Sequence, residues 1–203
     1  MAAVSYLRGF LPWIGFAAVS GSGWQWAALL ALSMAVASLV RDRRAGVTAD
    51  AQILDFGTIV FFGLLAAVAF ADPTSELQTY ESGLSSAWLA LIAASSLLAG
   101  RPFTVGIAKR RTGPETWHTP VFRRTGRVLT TVWTVSFALG AVATFVCEAT
   151  DAVGWLGTMV QILGFAVPAA FTHFYVASVR SRAASTAGYG ANAQVRTFPT
   201  AGR

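Results

Sequence analysis

The chain has 203 residues, 55% of them hydrophobic and 12% charged, and a mean hydropathy of +0.57, which excludes the polar surface of an ordinary soluble domain. Its 15 basic and nine acidic residues give a net charge of +6, and the single cysteine, Cys147, excludes an intramolecular disulfide and a Cys-rich metal site. At about 1.5 Å of rise per residue and roughly 20 residues per crossing, this length holds six membrane spans with short loops and no separate soluble domain.

The opening MAAVSYLRGFLPW has neither the basic start nor the cleavage site of a signal peptide, so the first apolar run is expected to remain as a membrane helix. It covers residues 7–19 and is short for a span. Gly21, Ser22 and Gly23, followed by Trp24 and Trp26, read as a tight turn at a membrane interface, where indoles prefer to sit. A helical hairpin that stops short of crossing is the competing reading, since about 17 residues are needed. Further apolar runs follow at residues 25–40, 53–70, 85–99, 128–147 and 155–176. They predict an all-α, polytopic six-helix bundle occupying residues 1–182.

Between the fourth and fifth runs, Phe103, Val105 and Ile107 mix with the cluster Lys109, Arg110 and Arg111, which predicts a short segment lying on the membrane surface. Thr112 and Glu115 have the spacing of a capping box, with Pro114 in its first turn. Thr119 before Pro120 predicts the start of a further helix that enters the membrane near Val128. Residues 183–203 are small, polar and glycine-rich, and so are predicted to be a disordered tail.

Charge orients the bundle, because loops on the cytoplasmic side retain Lys and Arg. All 15 basic residues fall at the start of the first run, after the second, between the fourth and fifth, or after the sixth, whereas Asp72, Glu76, Glu81, Glu148 and Asp151 occupy the remaining loops. The pattern predicts both termini in the cytoplasm. It also explains the basic composition without nucleic acid. Seven basic residues in one loop, Arg101, Lys109, Arg110, Arg111, Arg123, Arg124 and Arg127, exceed what topology requires. They suit anionic phospholipid head groups, at about 1 kcal/mol per basic residue.

Charge inside the hydrocarbon costs about 2.5–3.5 kcal/mol at mid-span, so an intramembrane acid is a functional candidate. Asp55, near the cytoplasmic end of the third run, is the clear case, set against a plain interfacial position within reach of water. The sixth run carries Gln161, Pro168, Thr172 and His173. Gln161, Pro168 and Thr172 share a helical face, and His173 lies at roughly the depth of Asp55. An Asp–His pair there would relay protons or hold a polar head group; the alternative is ordinary hydrogen bonding between packed helices. No HExxH, GxSxG, GxxxxGK or CxxC pattern occurs, so catalytic residues, metal ligands and cofactors are not expected.

A set of residues in order carries a likeness: Pro12, the basic linker after the second run, Phe56–Gly57, the GRPF of residues 100–103, Trp117, and Arg127, Thr130, Trp133 and Phe137. Over residues 7–178 this resembles the bacterial intracellular septation protein A family. The chain departs from it in RPFTVGIAKRR and in the added linker 112–119. The resemblance implies a non-enzymatic protein of the bacterial inner membrane, concerned with the cell envelope and septation and acting through contacts with other membrane proteins; membrane lipids, engaged by the basic loop, and a second copy of the chain are the other partners expected. A small, proton-coupled transporter with a polar site on the third, fifth and sixth runs is the alternative.

Overall fold

The computed structural model describes residues 3–110, 112–150 and 154–195. Seven α-helices occur among them and no strand: α1 (Ala3–Val19), α2 (Trp24–Arg44), α3 (Ile53–Ala71), α4 (Glu81–Leu98), α5 (Phe103–Lys109), α6 (Pro120–Ala149) and α7 (Gly154–Val195). Single 3-10 turns at Ser20–Ser22, Ala49–Ala51, Glu76–Tyr80 and Pro114–Thr116 join them. The chain forms two units, residues 1–169 and 170–203.

Five stretches are long and apolar enough to cross a membrane: Trp24–Arg44, Ile53–Ala71, Glu76–Leu98, Pro120–Ala149 and Trp155–Arg182. This is compatible with a multi-pass membrane protein. At 17 residues, α1 rises only about 25 Å, short of the roughly 30 Å of hydrocarbon. Its packing is nevertheless central, since Phe10, Trp13 and Phe16 are all buried in the core. In α2 the buried face is Ala27, Ala28, Ala31 and Ala35, small residues at helical spacing that let backbones approach closely. In α3 the buried face includes Thr58, Phe61, Phe62, Leu65 and Ala69, while Val60, Leu64 and Val68 point outward.

Cross-links set the antiparallel order. Trp24 Nε1 donates to the Pro73 carbonyl at 3.0 Å, tying the start of α2 to the end of α3. Trp13 Nε1 donates to Thr58 Oγ1 at 3.0 Å, joining α1 to α3. The Gly83 amide donates to Glu148 at 3.3 Å, setting the start of α4 against the end of α6. Thr119 caps α6 by accepting from the Phe122 amide, with Pro120 in its first turn, as the sequence predicts. The capping box does not form. Gly113, not Thr112, caps the single turn Pro114–Thr116, because the Thr112 hydroxyl instead donates back to the Ala108 carbonyl.

In the second unit α7 continues as a helix to Val195, through residues for which the sequence predicts disorder. A helix already nucleated extends at one hydrogen bond per residue, and this stretch is alanine-rich. The rest of the tail, residues 196–203, lies outside the described residues.

Candidate functional site at the basic end of the bundle

The GRPF sequence is a chain reversal. Gly100, at φ +67°, ends α4 in the left-handed region, and the Arg101 amide reaches back to the Ser96 carbonyl at 2.9 Å, the bond expected of a glycine-terminated helix. The Phe103 amide donates to Ser96 Oγ at 3.2 Å. The chain then re-enters the bundle as α5, and Phe103, Thr104, Gly106 and Ile107 are buried. This corrects the expectation of a surface segment. Apolar residues read as facing lipid instead face α1, α3, α4 and α6, held by polar bonds that a surface helix would lack. Thr104 donates to the Gly126 carbonyl at 2.9 Å, and its oxygen lies 2.7 Å from that of Thr130. A Cβ on Gly106 would fall about 3 Å from the backbone of Ala51, so only glycine lets α5 sit this close.

That close approach aims Arg110, the residue after α5, at the α2–α3 junction. Its Nη1 donates to Asp42 at 2.6 Å, and its Nη2 donates to Asp55 at 2.5 Å and to the Ala51 carbonyl at 2.9 Å. The side chains of Arg110, Asp42 and Asp55 are 22%, 17% and 7% exposed. Asp55 is therefore compensated by an arginine, and one guanidinium clips together the end of α2, the start of α3 and α5. Gln52 beside it is fully buried, and neither its amide nitrogen nor its amide oxygen has a protein partner among the described residues. Asp42 and Gln52 were not singled out from the sequence.

The remaining cations of this loop split. Arg101, Lys109, Arg123 and Arg127 line one cleft of about 340 Å³, together with Trp117 and His118, and no carboxylate lines it. Lys109 lies over the Trp117 ring at 5.1 Å. Trp117 is itself fixed by donating from Nε1 to the Thr112 carbonyl at 3.0 Å. Arg124 is exposed and lies outside the cleft lining, Arg110 is turned inward, and Arg111 lies outside the described residues. Four cations thus share one concavity whose lining holds no carboxylate.

The other intramembrane candidates all lie on α7. Gln161 lines a mostly apolar groove of about 530 Å³ between α1, α4 and α7. Thr172 and His173 belong to the second unit, where Thr172 is buried and His173 is exposed, edge-on to Phe174 at 5.5 Å. No group of three or more His, Cys, Asp or Glu side chains gathers among the described residues.

Comparison of the chain with known families, curated proteins and solved structures gives no match. The residues behind the likeness drawn from sequence have structural work here. Thr130 bonds Thr104, Trp133 stacks on Phe10 at 4.9 Å, Phe137 packs against Phe165 at 5.2 Å, and the Gly57 carbonyl accepts from Trp88 Nε1 at 2.9 Å.

Proposed function

We propose that this chain is a non-enzymatic protein of the bacterial cytoplasmic membrane, with six crossings and both termini inside, that engages anionic lipid through its basic cleft in an envelope- or septation-associated scaffold. The single observation that carries the reading is the cleft: four cations converge on one concavity with no carboxylate in its lining. The distribution of charge supports the orientation. Arg41, Arg43 and Arg44 end α2 beside this loop, whereas Asp72, Glu76, Glu81 and Glu148 mark the opposite end. A reporter fused after residue 76 is expected on the external face, and a cytoplasmic signal would overturn the topology.

The interior supports a scaffold over a transporter. Phe10, Trp13, Phe62, Trp133 and Phe137 fill the core, and the Thr134 hydroxyl is spent on the Thr130 carbonyl of its own helix. In detergent, short-chain phosphatidylglycerol is expected to raise the unfolding temperature more than phosphatidylcholine does. The joint variant Arg101→Gln/Arg123→Gln/Arg127→Gln should lose that difference, at about 1 kcal/mol per charge. Equal responses to the two lipids in the unaltered protein would sink the lipid reading.

A further inference from the structure

The first part of α7 is loosely held. Of the five stretches able to cross a membrane, Trp155–Arg182 is the least buried, and a Cβ placed on Gly157 or Gly164 would meet nothing within 4 Å. It meets the core through Phe165, which lies 5.5 Å from Phe10 and 5.2 Å from Phe137, and through Ala169. Beside these contacts runs the groove of about 530 Å³ walled by α1, α4 and α7. Its volume is that of a small-molecule site, typically about 300–1,000 Å³.

The groove is graded from polar to apolar. Ser85 and Ser86 near the start of α4, and Thr158 and Gln161 near the start of α7, line it at the acidic end of the bundle. Further in, Trp13, Leu89, Phe165, Ala166 and Ala169 make it apolar, and no ionisable side chain lines it among the described residues. From Thr158 to Ala169 its wall on α7 rises about 16 Å, close to half of the roughly 30 Å of hydrocarbon. Ala17, Ala18, Ile162 and Ala166 are exposed, so the groove opens sideways. Ser85 Oγ is buried and has no hydrogen-bond partner among the described residues, whereas Ser33, Ser95 and Ser96 bond back to carbonyls of their own helices. At the same end stands a carboxylate: Glu81 precedes Ser85 by one turn of α4 and is hydrogen-bonded by Ser20, the residue after α1.

We propose that this groove binds one uncharged monoacyl lipid, a fatty chain on a hydroxyl- and ester-bearing head group of the monoacylglycerol type, entering from the leaflet at the acidic end. The sideways opening makes the membrane, rather than water, the source of the occupant. The length of the wall matches a chain that stays within one leaflet. The lining sets the head group: an ionised head would lie against apolar side chains without a counter-charge, and Glu81 would repel an anionic one. A hydroxyl or ester needs only hydrogen bonds, and a serine hydroxyl and a glutamine amide offer donors for its oxygens. The seated chain fills the space beside α7 and braces it against α1 and α4. This inference rests on the membrane setting proposed above but not on the basic cleft, which lies at the other end and takes the opposite head-group chemistry.

The test uses the full chain in phosphatidylcholine nanodiscs and a monoacylglycerol with a photoreactive group in its chain. Labelling is expected to saturate at one lipid per protein, on peptides holding residues 13–18, 85–89 or 158–169. Unlabelled monoacylglycerol should displace it, and lysophosphatidylglycerol of the same chain length should do so at least about tenfold less well. Ala166→Phe fills the groove from an exposed position. It should abolish the labelling and leave the response to phosphatidylglycerol at the basic cleft unchanged. Ala17→Phe makes the same test from α1 if the first variant fails to fold. Ser85→Ala joined to Gln161→Leu should weaken binding about tenfold, the size expected for two lost hydrogen bonds. Labelling spread evenly around the bundle, equal displacement by the two competitors, or labelling that survives both phenylalanine variants would overturn the assignment. So would cross-links between two copies through this groove, since a second chain would then be its occupant.

Discussion

Replacing Arg110 by alanine is expected to lower the stability of the protein by about 3 kcal/mol, because it strands two carboxylates that have left water. The magnitude follows from burial. Asp55 and Asp42 are 7% and 17% exposed at their side chains, so solvent screening cannot replace the lost guanidinium as it would on a surface. Arg110→Lys should recover only part of the loss, since one ammonium on a flexible stem cannot reproduce a fork that reaches Asp42, Asp55 and the Ala51 carbonyl together. Asp55→Asn should cost less than Arg110→Ala, because an amide oxygen still accepts the guanidinium bond. Joining Arg110→Ala to Asp42→Asn and Asp55→Asn should restore part of the stability, because no buried charge then remains unpaired. Reversible unfolding in detergent measures all of these. A change within about 0.5 kcal/mol for Arg110→Ala would place it among ordinary surface substitutions and refute the clip.

What was legible in the sequence followed local rules. Hydropathy located the long helices, because burial in an apolar medium demands a run of apolar residues whatever the partners. Thr119–Pro120 marked a helix start because capping is a matter of adjacent residues. The reversal at Gly100 was visible as a motif, but not the re-entry it produces. Phe103 and Ile107 look the same in sequence whether they face lipid or protein. Lys109, Arg110 and Arg111 are three consecutive cations, and nothing local says which one turns inward. That is decided by the contact of Gly106 with the Ala51 backbone, more than fifty residues away in the chain. Asp42, flanked by Arg41 and Arg43, reads as part of a solvated linker. Asp55 stands out in the sequence, but its partner Arg110 does not, because depth along a helix cannot tell an acid with an arginine within reach from one without.

The short first helix is open to a second decisive substitution, Phe10→Ala, for which a loss of about 3–5 kcal/mol is expected. The Phe10 ring stacks on Trp133 at 4.9 Å and 11°, and meets Phe165 at 5.5 Å, Phe137 at 6.0 Å and Phe103 at 6.5 Å. Through one side chain, α1 therefore touches α5, α6 and the first part of α7. Each such aromatic pair contributes about 0.5–1.5 kcal/mol beyond the area it covers. Within lipid the packing matters more, because the surrounding chains are as apolar as the ring, and association rests on van der Waals contact. Leu11, the next residue, is 43% exposed and supplies the control. Leu11→Ala should change stability by no more than about 0.5 kcal/mol. Phe10→Leu should fall between the two, since it keeps bulk but loses the ring geometry. A helix that merely rested on the bundle would show similar small losses at positions 10 and 11. A large loss confined to position 10 would mean that 17 residues suffice because the helix is anchored by its partners rather than by its own span of hydrocarbon.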